Sequence, residues 1–73
     1  MKAPKTADEL RTMILTELGR HHDLPAGFDI AVVADGDSFR ARGTIDPAHP
    51  EQGELIARSV EIGDQLAHQF RLA

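Results

Sequence analysis

The 73-residue sequence has no cysteine, and this absence excludes several kinds of chemistry at once. Without thiols the chain forms no disulfide bridge, holds no metal through thiolates and has no thiol nucleophile. Small secreted domains usually depend on disulfides, so the composition favours a reducing cytoplasm. The start of the sequence is polar, unlike a signal peptide, and no stretch approaches the roughly 20 apolar residues of a membrane helix. We therefore expect a cytoplasmic protein without a membrane partner.

The sequence has no surplus of positive charge, and aromatic side chains are scarce. The formal net charge is -4, and three phenylalanines are the only aromatic residues. A protein that binds nucleic acid usually carries a basic surplus for the phosphates and exposed rings for the bases. The composition therefore argues against nucleic acid as a partner. With 41% hydrophobic residues, the chain still has enough apolar material for one small globular domain.

Alternating apolar and polar residues on both sides of Asp35-Gly36 form the clearest pattern in the sequence. This period of two predicts strands at about 28–34 and 37–45, and the Asp-Gly step is typical of a tight turn between them. A two-residue turn at this step places Val32 opposite Phe39. A four-residue loop keeps the same side chains on each face but changes their partners.

Helical periodicity precedes the hairpin. Thr6 and Glu9 have the spacing of a capping box, which predicts the start of a first helix. Pro25 cannot continue this helix, so we expect it to end near His22. Residues 1–5 are predicted to form a flexible tail.

A second helix is predicted after a linker over residues 46–50, with Pro50 in its first turn. An arc of about 160° on its helical wheel holds only apolar or small residues. This arc contains Leu55, Ile56, Ser59, Val60, Ile62, Gly63, Leu66, Ala67 and Phe70.

The order helix, strand, strand, helix predicts an α+β fold. We expect a small two-layer αββα domain over residues 6–73, with the antiparallel hairpin covered on one face by both helices. Two strands are only about 10 Å wide, whereas two adjacent helices need about 20 Å. Edge-to-edge pairing of two copies would correct this mismatch by forming a four-stranded sheet in a homodimer. In the alternative, a monomer has helices that pack partly on each other.

Four residues have side chains of a metal-ligating type: His21 and His22 in the first helix, and Asp64 and His68 in the last. Adjacent helical residues point about 100° apart, so His21 and His22 do not hold one ion together. Asp64 and His68 have i,i+4 spacing, but a solvated helix face commonly looks the same. We therefore expect no metal, no cofactor and no catalytic group.

The outer face of the hairpin is the first candidate interaction surface, with Arg40 and Arg42 beside Ala31 and Val33. Two guanidinium groups could bind phosphates or carboxylates in a bidentate manner. In the alternative this face is only solvated, and Asp29 forms an ion pair with Arg42.

Two further candidate surfaces lie on the helices. Ser59 and Gly63 belong to a stripe of small residues that suits either a partner helix or close packing within the chain. Met13 and Leu15 flank the apolar stripe of the first helix on opposite sides, so we expect part of this margin to be exposed.

No pattern in the sequence identifies an enzyme. We therefore expect a small non-catalytic protein of bacterial type that acts as a homodimeric interaction or adaptor domain, with another protein as a further partner. The alternative is an accessory protein that binds nucleic acid through Arg40 and Arg42.

Overall fold

The structure, a computed structural model, describes residues 2–25, 27–43 and 52–73 and confirms the α+β class. Two helices lie on an antiparallel hairpin, and a short parallel pair of strands joins residues from opposite ends of the sequence. In chain order the elements are β1 (Ala3–Lys5), α1 (Ala7–His21), β2 (Ala31–Asp35), β3 (Ser38–Arg42), α2 (Gln52–Leu66) and β4 (Phe70–Leu72).

The boundaries of α1 agree with the sequence. The Thr6 hydroxyl accepts a 3.1 Å hydrogen bond from the backbone N–H of Glu9, and the Glu9 carboxylate accepts a 3.0 Å bond from the backbone N–H of Thr6. This capping box lowers the pKa of Glu9 through the bond from the Thr6 backbone and then through the hydroxyl. At the other end, the backbone N–H of His22 donates to the Leu18 carbonyl oxygen at 3.0 Å.

The hairpin turn lies one residue later than the predicted Asp-Gly turn. Asp35 pairs with Ser38, so Gly36 and Asp37 are the two turn residues. Gly36 has a φ of 60°, and Asp37 has no positive φ. This is the pattern of a type II′ turn, which favours glycine at its first central position.

The position of the turn changes the cross-strand partners. Phe39 lies opposite Ala34, and Val32 lies opposite Ala41, so the predicted pair of Val32 with Phe39 is wrong. These are the partners expected from the longer-loop alternative, and they leave each side chain on its predicted face. Phe39 and Ala41 are accordingly buried.

Asp29 pairs with α1 and not with the neighbouring strand. Arg11 Nε donates to Asp29 Oδ1 at 2.7 Å, and the backbone N–H of Ile30 donates to the same oxygen at 2.8 Å. The hydrogen bond from Arg11 lowers the pKa of Asp29, and the bond from Ile30 adds to the shift. The predicted pair with Arg42 is therefore wrong, because Asp29 lies ahead of β2, where it meets the helix.

Strands β1 and β4 were not expected from the sequence. They pair in parallel, with Ala3 opposite Phe70 and Lys5 opposite Leu72. Residues 3–5, predicted as part of a loose tail, therefore have a strand partner. Phe70 lies in that partner and not on the last helix, because α2 ends at Leu66. The predicted end of the second strand at residues 44–45, the linker 46–50 and Pro50 lie outside the described residues.

The core lies between the helices and the hairpin. α1 lies over β2, α2 lies over β3, and the two helices also contact each other. A central cluster of Ile14, Ile30 and Ala41 joins both layers. The buried apolar side chains are Leu10, Ile14, Leu18, Ile30, Phe39 and Ala41.

Candidate interaction surface

The stripe of small residues on α2 is packed inside the chain. Ser59 is fully buried, and its Oγ donates a 2.7 Å hydrogen bond to the carbonyl oxygen of Ile56. A Cβ at Gly63 would lie 3.2 Å from the Cβ of Ala41 and 3.6 Å from Cδ1 of Ile14. The stripe therefore serves packing within the chain, as the alternative interpretation expects, and Ser59 and Gly63 offer no surface to a partner helix.

The outer face of the hairpin carries the other predicted strand residues. In the observed register Val33 lies opposite Arg40, and Ala31 lies opposite Arg42. Ala31, Arg40 and Arg42 are exposed, whereas Val33 is half-buried. Arg40 Nε lies 4.0 Å from Asp35 Oδ2, with these side chains 60% and 61% exposed. An ion pair this exposed contributes little to stability.

The described residues of this outer face include no aromatic ring. Phe39 is 1% exposed and belongs to the core. Phe28 packs against the central cluster from the same side. A nucleic acid would therefore find two guanidinium groups here but no ring on which its bases could stack.

The two helix-margin residues differ in their surroundings. Met13 and Leu15 are both half-buried. Leu15 packs against the central cluster. Arg11, one turn earlier on the same side of α1, bonds to Asp29 just ahead of β2. Leu15 therefore lies on the side of α1 that faces β2.

The sequence predicts two open edges on the hairpin but does not distinguish them. In the part of the chain that the structure describes, β2 pairs only with β3, which leaves its other edge without a strand. Residues Ala31 to Ala34 of β2 carry no charge. Natural edge strands usually carry a lysine, a proline or another charged side chain that discourages pairing. This run without charge is the signal that could have singled out the β2 edge.

The metal-type residues do not converge. His21 Nε2 lies 3.4 Å from Glu17 Oε1 on an exposed face of α1, and His22 caps that helix through its backbone. Asp64 is exposed on α2, whereas His68 follows the end of that helix, so the pair lacks continuous helical spacing. Within residues 2–25, 27–43 and 52–73, no three acidic or histidine side chains are grouped as metal ligands.

Comparisons of the chain with protein-family models, curated proteins and solved structures give no match. Neither of the two described helices is long and apolar enough to cross a membrane. The geometry of the surfaces is therefore the guide to function.

Proposed function

We propose that the protein is a small non-catalytic interaction module that works as a homodimer in the cytoplasm. The observation that carries this proposal is the mismatch between the two-stranded hairpin and the two helices on it. A sheet this narrow leaves apolar side chains half-covered at its edges, where a second copy would bury them. The lack of cysteine supports the cytoplasmic location.

Half-buried apolar side chains are numerous for so short a chain. A single small core rarely supplies much stability, and many natural domains of this size add oligomerisation to it. Burial of those on the open side of the hairpin against a second copy would provide that stabilisation. On the β2 side they include Leu15, Phe28, Val32 and Val33.

Light scattering over a range of protein concentrations tests this proposal. We expect a mass of twice the 8.0 kDa chain at high concentration. We also expect the melting temperature to fall on dilution, because a folded state that depends on assembly loses stability by mass action. A constant mass of one chain, with a melting temperature independent of concentration, would contradict the proposal.

A further inference from the structure

We infer that two copies of this chain pair antiparallel through their β2 edges, with Val33 opposite Val33 of the second copy. This arrangement would give a four-stranded sheet in the order β3, β2, β2, β3. The inference rests on the proposed homodimer and names the surface that forms it.

The charge on the two hairpin strands favours the β2 edge over the β3 edge. Ala31 to Ala34 of β2 are uncharged, whereas β3 carries Arg40 and Arg42. Antiparallel pairing of two β3 strands about a two-fold axis would bring these arginines of both copies close together, and like charges across a ladder are destabilising.

The backbone of β2 fixes which residues can bond across this edge. A two-residue turn is closed by a hydrogen-bonded pair, here Asp35 with Ser38, and bonded and non-bonded pairs alternate along the ladder. The N–H and C=O groups that face away from β3 therefore belong to Val32 and Ala34. With Val33 on the two-fold axis, Val32 of each copy meets Ala34 of the other, and all five β2 residues have a partner.

Charges on the outer face are complementary in this register. Asp35 of one copy lies opposite Ala31 of the other, and Ala31 is the neighbour of Arg42 in its own hairpin. Asp35 already lies beside Arg40 of its own chain, at 4.0 Å. Each carboxylate thus has Arg40 of its own chain on one side and, two strand spacings or about 10 Å away, Arg42 of the other copy on the other side, which favours the antiparallel arrangement.

On the inner face, the same pairing would cover apolar side chains that one chain leaves half-buried. Leu15, Phe28 and Val32 pack against the central cluster but remain partly exposed. All three lie on the β2 side of the molecule. Val32 belongs to β2, and Phe28 to the segment before it. Leu15 lies one turn after Arg11, on the side of α1 that meets this segment. A second copy at the β2 edge would bring its own equivalents against them.

Disulfide cross-linking tests the register, because the chain has no cysteine of its own. Val33→Cys would place two thiols opposite each other at a Cα separation of about 4.5–5.5 Å, which a disulfide can span. Arg40→Cys is the matched control on the same face, where the two thiols would be about 14 Å apart, three strand spacings. Both variants are oxidised with diamide at a concentration that gives a dimer by light scattering and are analysed on a non-reducing gel.

We expect a covalent dimer from Val33→Cys and none from Arg40→Cys. If the protein is a dimer but only Arg40→Cys cross-links, or neither variant does, the β2 inference is wrong while the proposed homodimer stands. If light scattering shows a single chain at every concentration, the proposed function fails and the inference fails with it.

A charge substitution at the same position gives a second readout. Val33→Glu places a carboxylate opposite Arg40 of its own hairpin, which suits the folded chain, but sets two carboxylates against each other in the dimer. We expect the dissociation constant to rise on the order of tenfold or more. A variant that melts normally at low concentration and still dimerises like the parent would overturn the inference.

Discussion

Gly63 of α2 lies directly against Ala41 of β3, so close that a Cβ at Gly63 would be 3.2 Å from the Cβ of Ala41. Alanine favours a helix over glycine by about 1 kcal/mol, yet we expect Gly63→Ala to lower the melting temperature. The Cβ of Ala41 stands directly on its backbone, so relief requires movement of α2 relative to β3.

Gly19 of α1 is the matched control for this substitution. A Cβ there would lie 3.7 Å from Cδ1 of Leu24, an ordinary contact. We expect Gly19→Ala to stabilise the protein by about 0.5–1 kcal/mol, as measured by urea unfolding. An equal increase in stability from Gly63→Ala and Gly19→Ala would show that α2 does not pack closely against β3.

The ring of Phe39 should carry a large share of the stability. It is 1% exposed, and removal of a buried aromatic ring costs about 3–5 kcal/mol, comparable with the whole stability of a domain this small. We expect the circular dichroism spectrum of Phe39→Ala to be that of a largely unfolded chain at room temperature. Phe28→Ala removes a half-buried ring, so it should lower the stability by less than Phe39→Ala does. A Phe39→Ala protein with the parent's melting curve would contradict the described core.

Acid should weaken the link between α1 and the segment before β2. The hydrogen bond from Arg11 lowers the pKa of Asp29 in the folded chain. The resulting stabilisation is complete above the ordinary aspartate pKa of about 3.9 and is lost as the pH falls through the lower folded pKa. We therefore expect the parent protein to melt at a higher temperature than Asp29→Asn at neutral pH. This difference in melting temperature should disappear at low pH. In an Arg11→Gln background, the effect of Asp29→Asn at neutral pH should be smaller, because only the bond from the Ile30 N–H remains to favour the carboxylate.

The arginines of the outer face should not bind nucleic acid. Two guanidinium groups without a stacking ring, on a chain of net charge -4, are a poor match for RNA or DNA. We expect the parent protein to leave a heparin column at low salt, with unchanged behaviour after Arg40→Gln and Arg42→Gln together. The double substitution should alter stability by only about 0–1 kcal/mol. Salt-sensitive retention that the double substitution removes would instead support the nucleic-acid alternative.

Local sequence signals account for much of the fold. The Thr6 and Glu9 capping box, the stop ahead of Pro25 and the faces of the hairpin follow from interactions among residues close in sequence. The position of the turn could not be predicted from these signals. Gly36 can be the second central residue of a turn at Asp35-Gly36 or the first central residue of a turn at Gly36-Asp37. Both choices keep every side chain on the same face, so the apolar pattern cannot distinguish them.

Longer-range contacts were beyond the sequence pattern. Strands β1 and β4 are three residues each, too short for a visible period of two. The burial of Ser59 and Gly63 against their own chain depends on how α2 sits over β3, which a helical wheel does not contain. Likewise, the Arg11–Asp29 pair needed the position of α1 relative to β2.

The parallel pair of β1 with β4 also has a consequence for the order of folding. Ala3 and Phe70 are partners across nearly the whole sequence, and closing so long a loop without intermediate structure is entropically costly. Both helices must be in place before the two strands can meet, so this pair should form last. In pulse-labelling hydrogen exchange during refolding, the Ala73 amide, which donates to the Lys5 carbonyl oxygen at 2.8 Å, should gain protection after the amides of β2 and β3. Protection of the amide hydrogen bonds between these two three-residue strands thus indicates that folding is complete.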